Sequence, residues 1–349
     1  MGILKNINGL RRRLTRGLTK GIHSRANPII PLESIDIKRI LICRPNKRLG
    51  NLLMITPLLQ EIEATFPGCK VDIFAQGSLA PVVFKNYENV DTIIQLPVKP
   101  FKQLIKYVRA WTSIKRNHYD MAINVVSNSS SGRLSTKLAN STYHFFGDIE
   151  EEERELVHDD FGHMAKSPVY AFRHYVKAMG LIKNERPVPT LDIKLSAAEL
   201  AEGKRLLHEL VNNDKKTICL FTYATGDKCY PASWWENLYE RLKTEYSDCN
   251  IIEILSIQKI SNISLKAPTF FNKDVRKVGS LIANVQVFIG ADGGVMHLAS
   301  AVNTPTIGLF SVTDPNRYRP YNENSVAIKT NPNDINECIQ AVNRILSPA

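Results

Sequence analysis

The sequence predicts an α/β fold of two doubly wound parallel-sheet domains facing a cleft. Three observations predict it. Short apolar runs alternate with helix-period segments from residue 34 onward, the series stops and restarts once, and a polar stretch carrying prolines separates the two series. Alternation of this kind implies parallel strands joined by crossover helices, and 349 residues are more than one core usually organises. With 44% hydrophobic and 23% charged residues, the composition is that of a globular protein.

In the first series "KRILICR" reads as a buried strand and "NLLMITPLLQEIEATF" as a helix with apolar positions three and four apart. "VDIFAQ", "DTIIQL" and "MAINVV" are further strands, with helical stretches at 79–86 and 101–117, and "SPVYAFRHYVKAMGL" closes the series as a helix. "KNERPVPT" follows, where Pro187 and Pro189 bar both helix and central strand. The second series runs "TICLF" strand, "WWENLYERLKTEY" helix, "NIIEIL" strand, "VRKVGSLIANV" helix, "VFIG" strand, "GVMHLASAV" helix and "PTIGLF" strand, with "INECIQAVNRIL" as a last amphipathic helix. The chain therefore divides into a basic segment at 1–32, an N-terminal domain at 33–186, a C-terminal domain at 187–330 and a terminal helix at 331–349. Two such sheets on one short linker place a cleft between the carboxyl ends of their strands, where doubly wound folds bind ligands.

No apolar run approaches the ~20 residues that span a bilayer, and the N-terminus lacks a signal peptide's apolar core and cleavage site, so a cytoplasmic location is expected. The net charge of +11 is uneven: residues 1–25 hold seven basic side chains and no acid. Ile3, Ile7, Leu10, Leu14, Leu18 and Ile22 recur at the helical period between them. An apolar stripe framed by Lys and Arg has the composition of a helix lying on an anionic membrane, which assigns residues 3–22 to the inner face of the plasma membrane. The alternatives are a stripe that packs on its own domain and a nucleic-acid arm. The second lacks the aromatic or glycine-rich basic stretch of an RNA-binding module, and no nucleic-acid partner is expected. The six cysteines form no C-x-x-C pair, so neither a zinc site nor a disulfide framework is indicated.

Three strand-to-helix loops hold residues suited to chemistry. In "CRPNKRLGN", Gly50 permits close backbone approach, Asn51 opens a helix, and Arg44, Lys47 and Arg48 add positive charge where a helix start already favours an anion; a capped, solvated basic loop is the other reading. "FTYATGDKCYP" supplies the hydroxyls of Thr222 and Thr225, a flexible Gly226 and the cation Lys228, a plausible phosphate grip made from ordinary loop residues. "GADGGVMHLASAVNTP" is the most specific. Asp292, Gly293 and Gly294 follow a buried strand and a helix begins at once, which gives a bare amide nest for a diphosphate, with His297 one turn in. A packed or capping histidine is the alternative for His297. Neither the P-loop nor the dinucleotide glycine pattern is present.

"ILICRPNKRLGNLLMITPLLQEI" and "FIGADGGVMHLASAVNTPTIGLFSVTDPNRYRPY" resemble the two ends of glycosyltransferase family 9, the lipopolysaccharide heptosyltransferases. The resemblance spans roughly 37–327 and implies a GT-B fold of two Rossmann-like domains. It implies metal-independent, inverting transfer from a nucleotide sugar, typically ADP-heptose, held by the C-terminal domain, with no cofactor. It further implies a lipid-linked saccharide acceptor on the N-terminal domain, which assigns Arg44, Arg48 and Gly50 to acceptor binding. Thr225, Lys228, Asp292, Gly293, Gly294 and His297 fall to the donor diphosphate. Where the family's R-x-G-D loop ends in an aspartate base, this chain has Asn51, whose amide cannot take a proton at neutral pH. Asp148 and the acidic run at 150–153 are the substitutes in reach. No ribose-binding acid is evident at 253–259, and "HDDFGH", with His158, Asp159, Asp160 and His163, has nothing to force its side chains onto a metal. The rival expectation is a weak or inactive family member that binds a nucleotide sugar without turning it over.

Overall fold

The computed structural model describes residues 36–149, 158–181, 186–330 and 335–347. The first domain runs β1 (Arg39–Arg44), α1 (Leu49–Leu53), α2 (Thr56–Thr65), β2 (Lys70–Gln76), α3 (Ala80–Val83), β3 (Val90–Leu96), α4 (Leu104–Arg116), β4 (Tyr119–Asn124), α5 (Ser130–Leu138), β5 (Ser141–Phe145) and α6 (Ser167–Ala178). The second runs α7 (Ala197–Val211), β6 (Thr217–Phe221), α8 (Ala232–Glu245), β7 (Asn250–Ile254), β8 (Thr269–Phe270), α9 (Val275–Ile282), β9 (Val287–Ala291), α10 (Gly294–Ala301), β10 (Thr306–Phe310), α11 (Pro315–Tyr318), β11 (Val326–Lys329) and α12 (Asn336–Leu346). The strand orders are β3-β2-β1-β4-β5 and β8-β7-β6-β9-β10-β11, with every pair parallel. Each domain thus starts at a central strand, winds twice to one side and then crosses to the other, which is the doubly wound Rossmann-like plan.

The apolar runs become strands because parallel strands are covered on both faces. Ile40, Leu41, Ile42 and Cys43 of β1 are wholly inaccessible, and every residue of β6, β9 and β10 is buried. The long helical pattern after β1 is two helices. Pro57 has no N–H to give the carbonyl a turn back, so α1 ends at Leu53 and α2 restarts at Thr56, whose Oγ1 donates to the freed Leu53 carbonyl at 2.6 Å. The terminal helix α12 buries Cys338, Ile339, Ala341 and Val342 in the same core as Ile307 and Leu309 of β10, so it packs as part of the second domain.

The linker lies along the first domain. Asp192 N donates to Thr56 Oγ1 at 3.1 Å, and Tyr87 OH donates to the Asp192 carbonyl at 2.8 Å. Arg276 of α9, 4% exposed, locks this joint. Its guanidinium donates to both oxygens of Glu199 on α7 (2.6 and 2.8 Å), to the linker carbonyls of Ile193 (3.0 Å) and Lys194 (2.9 Å), and to Val82 O of the first domain at 3.3 Å. The planar fork of arginine suits this geometry. Arg276 holds the Glu199 carboxyl well below its ordinary value, against an opposing push from burial and with help from Ser196.

Removing the arginine leaves Glu199 and the linker carbonyls unpaired, so Arg276→Ala is expected to lower unfolding free energy by about 3 kcal/mol, read from urea denaturation. A depressed carboxyl stabilises the fold fully above its ordinary pKa of 4.5 and loses that contribution as pH falls below it. Glu199→Gln is therefore expected to flatten the loss of stability between about pH 5 and pH 3.

Candidate active site

Each sheet reverses its winding beside its first strand, between β1 and β4 and between β6 and β9. The crevice outside the carboxyl ends at that reversal is where doubly wound folds take ligands. The three loops singled out in the sequence leave β1, β6 and β9 at these points, so topology brings them to one opening.

The helix starts of the two domains touch there. A Cβ built on Gly50 would lie 2.7 Å from His297 Cδ2 and 3.6 Å from Gly294 Cα, and one on Gly294 would lie 3.2 Å from Leu49 Cβ and 3.4 Å from Gly50 N. A Cβ on Gly50 would force the imidazole to shift and one on Gly294 would be tight against Leu49, so a glycine on each side favours the close approach of α1 and α10. Gly293 is different: only the Ala291 carbonyl, at 3.5 Å, would meet an added Cβ.

Asp292, 4% exposed, is the electrostatic centre of the second domain's side. Its Oδ2 accepts from Lys228 Nζ and, at 2.8 Å, from Thr313 Oγ1, while Oδ1 faces His297 Nε2 at 3.6 Å. Burial pushes its pKa up, but His297, Lys228 and Thr313 outweigh that and hold it at about 2, so it is a carboxylate at neutral pH. Lys228 ends a 3-10 turn begun at Gly226, whose φ of +65° is left-handed. With one N–H on Asp292, the ammonium keeps two for an anion. Its Nζ lies 5.8 Å from the Tyr318 ring centroid, as does the Arg317 guanidinium.

Arg44 approaches from the other domain. It ends β1 at 8% exposure, its Nε is buried without a hydrogen-bond partner, and no described carboxylate pairs with it. Burial lowers its pKa to about 10, with the Tyr318 phenol acting in the opposite sense. Burying an uncompensated cation is costly, and an anion in the crevice would offset that cost. Tyr318 is thus packed near Lys228 and interacts electrostatically with Arg44 of the other domain.

The remaining predicted residues are placed as follows. Arg48 is exposed at the start of α1, and Asn51 is half-buried, its amide making no hydrogen bond among the described residues. Thr225 is exposed beside the Lys228 turn. Thr222 is instead buried, donating to Glu253 at 2.6 Å and accepting from Asn262 N at 3.0 Å. Asp148 follows Gly147, a residue of the interdomain cavity wall, and Arg133 of α5 holds both its oxygens at 2.7 and 2.9 Å. Residues 3–22 and the acidic run at 150–153 lie outside the described residues. The histidine–aspartate stretch makes structural contacts: Asp160 accepts from Lys166 and Tyr170, His158 stacks on Tyr170, and His163 reaches the second domain, bonding the Arg319 carbonyl at 2.9 Å. Thr313, Arg317 and Tyr318 were not singled out. Their signal was position, since the loop after β10 leaves the same sheet edge as the loops after β6 and β9.

A cavity of about 410 Å³ opens between the domains, walled by Ser127, Asn128 and Gly147 on one side, Met164 and Phe172 of the same domain, and Asp314 and Arg317 from the other. The polar "SNSSSG" loop thus faces a space, while its Ser129 caps α5 by accepting from Gly132 N at 3.2 Å. Among the described residues no group of three His, Cys, Asp or Glu side chains is arranged to hold a metal ion.

Residues 107–346 match the family model of glycosyltransferase family 9 (heptosyltransferase). Curated relatives include lipopolysaccharide heptosyltransferase 3 of Escherichia coli, 23% identical over 303 residues (79% of this chain, 85% of that protein), and lipooligosaccharide heptosyltransferase 2 of Haemophilus influenzae, 25% identical over 326 residues (83% and 88%). Among solved structures, a family 9 glycosyl transferase from Veillonella parvula superposes with a TM-score of 0.67 at 14% identity (90% and 92% covered). An E. coli heptosyltransferase with ADP superposes at 0.63 and 16% (88% and 99%). The fold is GT-B: two parallel-sheet domains and no closed barrel.

The glycine contact makes a specific forecast. Gly50→Ala is expected to cost about 1–3 kcal/mol by overpacking against the imidazole, and little when His297→Ala has already removed the clashing ring. Denaturation midpoints of the two single variants and the double variant measure this.

Proposed function

We propose that this chain, which belongs to glycosyltransferase family 9 and is a glycosyltransferase, moves heptose from an ADP-linked donor to a saccharide of the lipopolysaccharide core with inversion at the anomeric carbon. The observation that carries this reading is a cation on the side of each domain: Lys228, held on Asp292 and 5.8 Å from the Tyr318 ring, and the buried Arg44, which has no described carboxylate partner and interacts electrostatically with the same phenol. A nucleoside diphosphate is the ligand whose charge meets both. ADP in the solved E. coli relative supports the choice of nucleotide, and the names of the curated relatives support the acceptor class.

In this mechanism the acceptor hydroxyl oxygen attacks the anomeric carbon from the face opposite the diphosphate. The bond from that carbon to the phosphate oxygen breaks with its electron pair, ADP leaves, and the hydroxyl proton passes to solvent water. Lys228 and the amides at Gly293–Gly294 stabilise the charge that develops on the departing oxygen. Arg48 meets the acceptor from the N-terminal side, while Arg44 serves the diphosphate and Gly50 sets the approach of α1 to α10. Asn51 orients the hydroxyl without taking its proton, because an amide is not a base at neutral pH; catalysis therefore leans on positioning and leaving-group stabilisation. The nucleotide sugar is a substrate, and the reading needs no cofactor. The basic segment at 3–22 holds the enzyme to the inner face of the plasma membrane. No described helix is long and apolar enough to cross a membrane.

With ADP-heptose and a core acceptor, Lys228→Ala is expected to reduce kcat by about 10²–10³-fold; unchanged turnover would remove the donor assignment. Asn51→Asp places a carboxylate where the family pattern has its base and is expected to raise kcat, by up to about 10²-fold. A fall in rate would show that the amide itself is required. Turnover is expected to be the same with and without a chelator.

A further inference from the structure

The β3–β4 crossover leaves an apolar surface uncovered. Its helix α4 already buries one face: Ala110 and Ile114 lie in the core, with Tyr107 and Trp111 packed against it and Trp111 5.2 Å from the Phe74 ring. The opposite face and the turn before it carry Val98, Phe101, Leu104, Ile105 and Val108, which are 42%, 86%, 60%, 71% and 50% exposed. A helix apolar on two faces with only one covered marks an interaction site.

The charge around it is of one sign. Lys99, Lys102, Lys106 and Arg109 are interleaved with these side chains, and Lys115 and Arg116 follow. No acid occurs from 92 to 119, and none of the six cations is ion-paired among the described residues. A second copy of the chain is a poor occupant, since a symmetric contact would press the two basic rims together. The patch also sits at the site's rim. It begins at the carboxyl end of β3, the edge of the sheet on which the β1 loop opens. A Cβ on Gly77 would lie 3.3 Å from Lys47 Cβ and 3.5 Å from Val98 Cγ2, so the surface continues into the loop that carries Arg48, Gly50 and Asn51.

We infer that residues 98–109 form a membrane-docking surface that inserts Phe101, Leu104 and Ile105 among the headgroups of an anionic bilayer while the interleaved lysines bind lipid phosphate, with the cleft opening toward the lipid. Apolar insertion combined with a basic rim is the recognition chemistry of anionic membrane interfaces. Docking itself stands apart from the proposed reaction. Only its benefit, access to a lipid-linked acceptor, rests on that reading. In sequence this surface is distinct from the basic segment at 3–22.

The test is flotation of the full chain with vesicles of phosphatidylcholine alone or with 30% phosphatidylglycerol. Wild type is expected to float only with the anionic vesicles. Phe101→Ser/Leu104→Ser/Ile105→Ser is expected to lower the partition coefficient at least tenfold with an unchanged melting temperature, because these side chains touch solvent. Lys99→Gln/Lys102→Gln/Lys106→Gln is expected to weaken binding similarly and to reduce its salt dependence. Equal flotation of wild type and both variants would assign all binding to the N-terminal segment and overturn the proposal. No preference for anionic vesicles would also overturn it and point to an acidic protein partner. Stabilisation by ADP, measured on the same proteins, reports the donor site separately: its absence in wild type would count against the proposed function and leave the docking result standing.

Discussion

The contact on which the site depends is the meeting of two helix starts, α1 from the first domain and α10 from the second, across Gly50 and Gly294. Both helices follow directly on a central strand, so their position is fixed by the sheets behind them. The two glycines let them come within van der Waals reach, and that approach puts the β1, β6 and β9 loops around one opening. A side chain at Gly50 would meet the His297 ring, so the approach of the two helices depends most directly on that glycine.

Around this contact the charges are arranged unequally. Asp292 is buried and ionised because three donors face it, and it takes only one of the three N–H groups of Lys228. Among the described residues Arg44 has no carboxylate partner, and its Nε is buried without a hydrogen bond. One cation is therefore held in place by protein and the other is left for a ligand, which is the asymmetry expected of a site that binds a diphosphate on one domain and brings a second substrate against it from the other. Arg276 keeps the geometry at the back of the joint, where it binds α7, the linker and the first domain at once.

The fold was legible because a parallel strand covered on both faces must be apolar throughout, and "RILIC", "TICLF", "VFIG" and "PTIGLF" have that character. Amphipathic helices were legible where their period was unbroken. The sequence did not reveal the interruption at Pro57, α7 behind its Ser196–Glu199 capping box, or the short edge strand β11, whose half-covered residues carry little pattern. The loop at 292–297 stood out by its glycines, but the same glycines could not tell a phosphate cradle from a domain contact; Gly294 makes the contact and Gly293 remains open. Asp148 was attractive because it follows a strand, and only the structure shows its carboxylate held by Arg133. Tyr318 and Thr313 were invisible for a different reason. Their importance lies in which strands end beside them, and strand order is a property of the folded sheet.

The central claim is that the interdomain opening beside the Gly50–Gly294 contact is a diphosphate site bounded by one cation from each domain. A crystal structure with ADP tests it most directly. The account predicts phosphate oxygens within hydrogen-bond reach of Lys228 Nζ and the first amides of α10, with the Arg44 guanidinium turned toward them. ADP bound with its phosphates away from both cations, or Arg44 and Lys228 unmoved beside an ordered nucleotide elsewhere, would contradict it.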